Sequence, residues 1–200
     1  VNMEPEKYYH IYTHANGTES LFRGDENFRY FLLRYEHFIA PVADTLAWCL
    51  MPNHLHLLVR VKPMADLQQF FKLGTPPSDL TGLADLSGRT IRQFSHLFNA
   101  YTKAYNKVYT RRGSLFTRSF RRKEVTNHRY FTQLIFYIHT NPVHHGFTAD
   151  HTAWPWSSFQ GLLLPELTPI QQEVIEWFGG QQQFMEFHRQ PPPPKFPFDD

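Results

Sequence analysis

Residues 45–61 read TLAWCLMPNHLHLLVRV. Two apolar runs of strand length, 45–50 and 54–61, flank the turn pair Pro52-Asn53. They lie close enough in sequence to pair as a hairpin. Side chains alternate along a strand, so His54, His56, Leu58 and Arg60 share one face while Leu55 points into the core on the other. The two imidazoles then sit about 7 Å apart at Cα, a suitable bite for one metal ion. Alone, an H-x-H among 12 histidines is a weak signal, because unrelated histidines often fall at that spacing.

Working outward, residues 8–13 (YYHIYT) are aromatic and β-branched and predict a first strand, followed by the turn Asn16-Gly17. Phe28, Phe31, Leu32, Tyr35 and Phe38 recur at helical spacing over 26–39. Residues 72–88 hold three Gly and two Pro without a clear period, and read as a long loop. Ile91, Phe94, Leu97, Phe98, Tyr101, Tyr105 and Val108 form one stripe of a helix over 91–109, ended by Arg111-Arg112-Gly113. A short basic strand follows within 115–125. Asn127 is a plausible N-cap for a helix running to about Asn141, where Pro142 is expected to stop it. Residues 154–159 (WPWSSF) form a compact aromatic segment. Residues 173–188 read as helical with a break at Gly179-Gly180, and Pro191 to Pro194 begin a stiff, disordered tail. The order strand, helix, strand, strand, helix, strand, helix predicts an α+β sandwich of the ferredoxin-like kind, a mostly antiparallel sheet with helices on one face. Residues 1–160 are expected to form the catalytic domain, and 161–200 a helical extension with a Pro-rich tail.

Composition narrows the function. Hydrophobic residues are 42% of the 200, enough for a core, and aromatics reach 16% with 19 Phe and 10 Tyr, a surplus that suits base stacking. Net charge is only +2, but residues 86–123 contain no Asp or Glu and hold half of the 20 Lys and Arg. Such a concentration attracts phosphate, although a solvated basic face has the same composition. The single cysteine, Cys49, excludes an intramolecular disulfide, reads as a core residue and suits a reducing compartment. No signal peptide is visible, and no apolar run approaches the roughly 20 residues of a membrane span. A soluble, cytoplasmic protein is expected.

In the helix HRYFTQLIFYIHTN (128–141), Phe131, Leu134, Ile135 and Ile138 form the core stripe. Tyr130, Gln133, Tyr137 and Asn141 share the neighbouring flank at steps of three and four. Tyr137 thus lies beside two carboxamides able to ligate a metal or orient a phosphate. A phenol with a pKa near 10 is a poor nucleophile at neutral pH, and a divalent ion beside it would polarise a phosphodiester. Attack by tyrosine conserves the phosphoester energy in a protein–DNA bond, which suits strand transfer.

The run WCLMPNHLHLLV resembles the HUH motif of single-tyrosine transposases. FYIHTNPVHHG resembles the tyrosine-bearing helix of their REP-associated branch, to which FNAYTKAYNKVYTRRGSLFTRSF and WPWSSF are also similar. The likeness spans roughly residues 8–159. It implies His54 and His56 as metal ligands and Tyr137 as a nucleophile on a C-terminal helix. A third ligand would fall on Asn141, with Gln133 the alternative. The resemblance implies Mg²⁺ or Mn²⁺, and cleavage of single-stranded or hairpin DNA through a 5′-phosphotyrosine. It also allows a homodimer, because related transposases share tyrosine helices between subunits. Phosphate contacts are assigned to Arg111, Arg112, Arg118, Arg121, Arg122 and Lys123. Two other readings stay open: a non-cutting hairpin-binding descendant, and a metal-dependent phosphodiester hydrolase using bound water.

Overall fold

The computed structural model describes residues 1–73, 80–117 and 119–191. Its elements are β1 (Tyr8–His14), α1 (Asp25–Ile39), β2 (Ala43–Met51), β3 (His54–Val61), α2 (Met64–Phe71), α3 (Leu80–Val108), β4 (Arg121–Val125), α4 (His128–His144), α5 (Pro169–Trp177) and α6 (Gln181–His188), with 3₁₀ turns at His151–Ala153 and Gln160–Leu163. Four strands form one sheet in the order β2-β3-β1-β4, antiparallel at every step. β1 and β2 therefore run parallel on either side of β3, as β3 and β4 do about β1. This is the ferredoxin-like arrangement of two interleaved βαβ units, so the expected α+β sandwich is the one found.

The crossover helices α1 and α3 lie on one face, as expected. Phe28, Phe31, Phe94, Leu97 and Tyr101 pack there with Tyr9, Ile11, Leu55, Leu57 and Val59. The other face carries a second core. Leu134, Ile135 and Ile138 of α4 join Ala47, Cys49, Met51 and Leu58 of the sheet, and Leu162, Val174, Ile175 and Phe184 complete it. Residues 161–191 are thus built into the layer that holds α4. A bulge between Thr45 and Ala47 lets Leu46 and Ala47 both serve this second core, since one extra residue resets the alternation.

Two boundaries differ from the sequence expectation. Helix α3 begins at Leu80, inside the predicted 72–88 loop, and an unanticipated α2 precedes it; residues 74–79 of that segment lie outside those described. Leu86, Thr90, Phe94, Leu97, Tyr101 and Tyr105 are all buried, so the apolar stripe extends upstream of Ile91. The Met3 amide donates to Ser87 Oγ at 2.7 Å, tying the added turns to the core. That burial outweighs the cost of about 1 kcal/mol for each of Gly82 and Gly88 within the helix. Helix α4 likewise continues through Pro142 to His144. Asn141, before the proline, is fully buried and set against His54 of β3 at 3.0 Å, so tertiary packing holds it helical against the local preference. Among the described residues no helix is long and apolar enough to cross a membrane.

Candidate active site

The register of β1 and β3 places three side-chain pairs on the α4 face: His14 opposite His54, Tyr12 opposite His56, and His10 opposite Leu58. α4 lies over β2 and β3, and its polar flank descends onto these rows. The Tyr137 ring stands edge-on to His56 with centroids 5.2 Å apart, and 6.3 Å from His10. One turn later, Asn141 brings Oδ1 to 3.0 Å from His54 Nε2. A single chain therefore assembles the two histidines, the tyrosine and the amide on one buried patch. Asn127 caps α4 as anticipated, its side chain accepting from the Tyr130 amide, and this fixes where the helix starts and hence which residues face the sheet.

Burial decides the charge state. His54 is pushed down to about 3 by desolvation, opposed by the neighbouring Asn141 amide oxygen, which favours the protonated ring. His56 is driven well below the usual imidazole range by burial, with neighbouring histidines adding to it. Both are neutral near pH 7, the state a metal ligand needs. His54 Nδ1 lies 2.7 Å from Asn53 Oδ1, while its Nε2 faces Asn141 Oδ1. A neutral imidazole has one proton and cannot serve both oxygens. With the proton on Nδ1, the Nε2 and Asn141 lone pairs face each other across a gap that suits a cation. Turning the Asn141 amide over would satisfy His54, but would put Oδ1 where Nδ2 now lies buried without a partner. His56 Nδ1 is matched to His10 Nε2 at 3.0 Å, which leaves Nε2 to ligate. Among the described residues no three His, Cys, Asp or Glu side chains are placed to hold a metal together. The groups on this patch are two imidazoles and the Asn141 amide oxygen, a set that would fit a divalent ion keeping open positions.

No family model matches the chain. A curated protein of Haemophilus influenzae, named there as a candidate REP-associated tyrosine transposase, is 25% identical over 126 residues, covering 63% of this chain. The chain spans 64% of that relative's length. Over that span the chain is similar to a REP-associated tyrosine transposase. A solved structure titled as the REP-associated tyrosine transposase bound to a REP hairpin shares the fold, with a TM-score of 0.58 at 16% identity over 86% of this chain and 87% of that one.

The residues assigned to phosphate separate by face. Across β1 and β4, Tyr12 pairs with Arg121 and His10 with Lys123, whereas Ile11 pairs with Arg122 and Tyr9 with Glu124. Arg121 and Lys123 are exposed on the histidine face. Arg122 lies on the α3 side, its guanidinium 5.5 Å from the Phe120 ring. Arg111 is committed elsewhere: it donates to Glu19 at 2.7 Å, to Asn106, and to the carbonyls of Gly113 and Ser114. Arg112 is exposed, and Arg118 lies outside the described residues. Gln133, the alternative third ligand, is partly buried one turn before Tyr137, whereas Asn141 sets its Oδ1 against His54.

Two groups escaped the sequence reading. His10, His14 and His145 surround the pair, with His14 stacked on His54 at 4.9 Å and His145 edge-on to it at 4.5 Å. The alternation of YYHIYTH placed His10 with His14, but only the β1–β3 register brings them beside His54 and His56. Behind α4, His139 bonds to Ser158 Oγ at 2.8 Å and to His188 at 3.0 Å, and His188 Nδ1 bonds to the Phe184 carbonyl. Because Nδ1 of His188 must donate, each proton in this chain is fixed: His139 Nδ1 donates to His188, and Ser158 donates to His139 Nε2. Ser158 Oγ in turn accepts from the Trp48 amide. This pins α4 between β2 and α6 and gives the WPWSSF segment a structural task.

Proposed function

We propose that the chain is a metal-dependent DNA strand transferase that cleaves and rejoins single-stranded or hairpin DNA through Tyr137. The observation that carries this reading is the Tyr137 ring, edge-on to His56 at 5.2 Å, on the helix whose next turn sets Asn141 against His54. A phosphate lying over His56 would be within reach of the phenol. Tyr137 Oη attacks phosphorus and the P–O3′ bond breaks. The phenolic proton ends, net, on the departing 3′-oxygen, leaving a 5′-phosphotyrosine and a free 3′-OH. Rejoining is the reverse of these steps and needs no nucleotide cofactor. Mg²⁺ or Mn²⁺ held by His54, His56 and Asn141 would supply polarisation of the phosphate and offset the charge that builds on it. The chain's own part is to hold neutral imidazoles, to aim Tyr137 by the clamped α4, and to attract DNA through its basic segment. The hairpin named in the solved relative's title supports hairpin DNA as the substrate. One chain supplies the whole constellation, so a homodimer, where it forms, is not needed to complete it.

The test is covalent trapping. Labelled hairpin DNA with a single-stranded flank is incubated with wild type and Tyr137→Phe, with Mn²⁺ or EDTA, and run on a denaturing gel. A metal-dependent shifted band in wild type alone supports the reading. Cleavage without an adduct points instead to water as nucleophile, and binding without cleavage across a panel of hairpins points to a non-cutting binder.

A further inference from the structure

Helix α4 covers β2 and β3, and the β1–β4 half of the same face is lined differently. Tyr12 is partly exposed, and stacks on His10 at 4.7 Å and on His56 at 5.7 Å. Its neighbours across the sheet are His56 on β3 and Arg121 on β4. One row further, Lys123 follows His10, with its ammonium 5.5 Å from the Tyr130 ring on the flank of α4. The one acid of β4, Glu124, pairs with Tyr9 on the opposite face and meets Lys7 there at 3.4 Å. Two tyrosines and two cations thus border the Tyr137–His56 pair, and β4 puts no carboxylate on their side.

We infer that this half-face is a nucleotide subsite: Tyr12 stacks the base next to the scissile phosphate, and Arg121 and Lys123 hold the phosphates beyond it. The inference rests on the strand-transferase reading and adds the direction of the DNA. The row His56, Tyr12, Arg121 spans two strand spacings, about 10 Å. A single strand crossing it lays a phosphate over His56 and Tyr137, a base on Tyr12 and further phosphates at the edge strand. The combination of aromatic faces with a cationic margin is how unpaired nucleic acid is held without paired bases. It also separates adjacent residues of one strand. Arg121 and Lys123 belong to the subsite and Arg122, one residue between them, does not, because alternate side chains of β4 point to opposite faces. The Tyr12 ring offers stacking to any base, so sequence preference at this position is weak.

The experiment measures binding by fluorescence anisotropy, on a Tyr137→Phe background so that no cleavage intervenes. The probe is a hairpin with a single-stranded flank, and each flank nucleotide is replaced in turn by an abasic one. Tyr12→Leu is expected to weaken binding roughly 5- to 100-fold, and one abasic position to weaken wild-type binding similarly. The two losses should not add when combined. Arg121→Ala should lower the slope of log affinity against log salt by about one, while Arg122→Ala leaves it unchanged. The abasic arm uses unmodified Tyr12, so it stands even where Tyr12→Leu folds poorly; Tyr12→Phe should bind as wild type. If the hairpin binds but Tyr12→Leu, the abasic probes and Arg121→Ala all leave affinity unchanged, the subsite is wrong and the DNA reading survives. If losses from Tyr12→Leu and the abasic site add fully, the base does not lie on Tyr12. Failure of wild type to bind any flanked hairpin overturns both readings.

Discussion

His54 Nε2 and Asn141 Oδ1 face each other at 3.0 Å across the gap between β3 and α4. Both atoms carry lone pairs when the His54 proton lies on Nδ1 toward Asn53. A divalent cation between them would relieve this opposition. Replacing Asn141 by Asp should therefore tighten Mn²⁺ binding, and Asn141→Leu should weaken it on the order of 10- to 100-fold. Titration followed by Mn²⁺ electron paramagnetic resonance reads this without any DNA. Equal affinity in wild type and Asn141→Leu would remove Asn141 from the ligand set.

The clamp behind α4 gives a stability prediction. In Ser158→Ala the Nε2 of His139 loses its donor and the Trp48 amide loses its acceptor, both at partly buried positions. Each unsatisfied group costs about 1–3 kcal/mol. At this size each kcal/mol lowers the melting temperature by roughly 2–4 °C. Calorimetry should show a drop of several degrees, and Ser158→Thr, which keeps the hydroxyl, should recover part of it. A melting temperature equal to wild type in Ser158→Ala would mean the relay carries no weight.

Burial of neutral histidines makes stability depend on pH in a set direction. His10, His54 and His188 are each lowered from 6.5 to about 3, chiefly by desolvation. The unfolded chain binds protons more readily than the folded one between those values. Stability is therefore full above about pH 6.5 and falls as the pH drops toward 3. Each such histidine contributes a slope of about 1.4 kcal/mol per pH unit in that window. Urea midpoints measured without metal at pH 7.5, 6.0 and 5.0 should fall steeply, and a flat series would mean that these rings are hydrated or already protonated.

Arg111 is expected to act on folding rather than on DNA. It joins Glu19 to the turn at Asn106, Gly113 and Ser114, and its side chain is only 16% exposed. Arg111→Ala should cost about 1.5–3 kcal/mol, the usual range for hydrogen bonds to charged groups. Denaturant midpoints give that loss, and the salt slope of DNA binding should stay unchanged. A reduced slope with intact stability would return Arg111 to the phosphate contacts.

The sequence by itself determined most of the elements and the identity of the central candidate groups. Alternation over 45–61 and helical spacing over 26–39 and 128–141 specified which faces are apolar, and the order of elements led to the antiparallel sandwich, because local periodicity reports burial directly. His54, His56 and Tyr137 stood out on spacing and resemblance. Where local cues oppose tertiary ones, the local pattern misplaces the element's end. Gly88 hid the first turns of α3 and Pro142 hid the last turn of α4, since each local cost is offset by apolar burial of the same helix, Leu86 and Phe94 in α3 and Leu134, Ile135 and Ile138 in α4.

Only the tertiary structure decided what surrounds the site. Strand register set His10 against His56 and Tyr12 between His56 and Arg121. It also sent Arg122 to the far face and left Arg121 and Lys123 beside the tyrosine. Charge counting along 86–123 could not make that division, because adjacent residues in sequence become opposite sides of a sheet once their strand is paired. The second core, built from Leu162, Val174, Ile175 and Phe184 with α4, has the same origin: contacts between residues far apart in sequence exist only after the chain has closed on itself, and no local pattern encodes them.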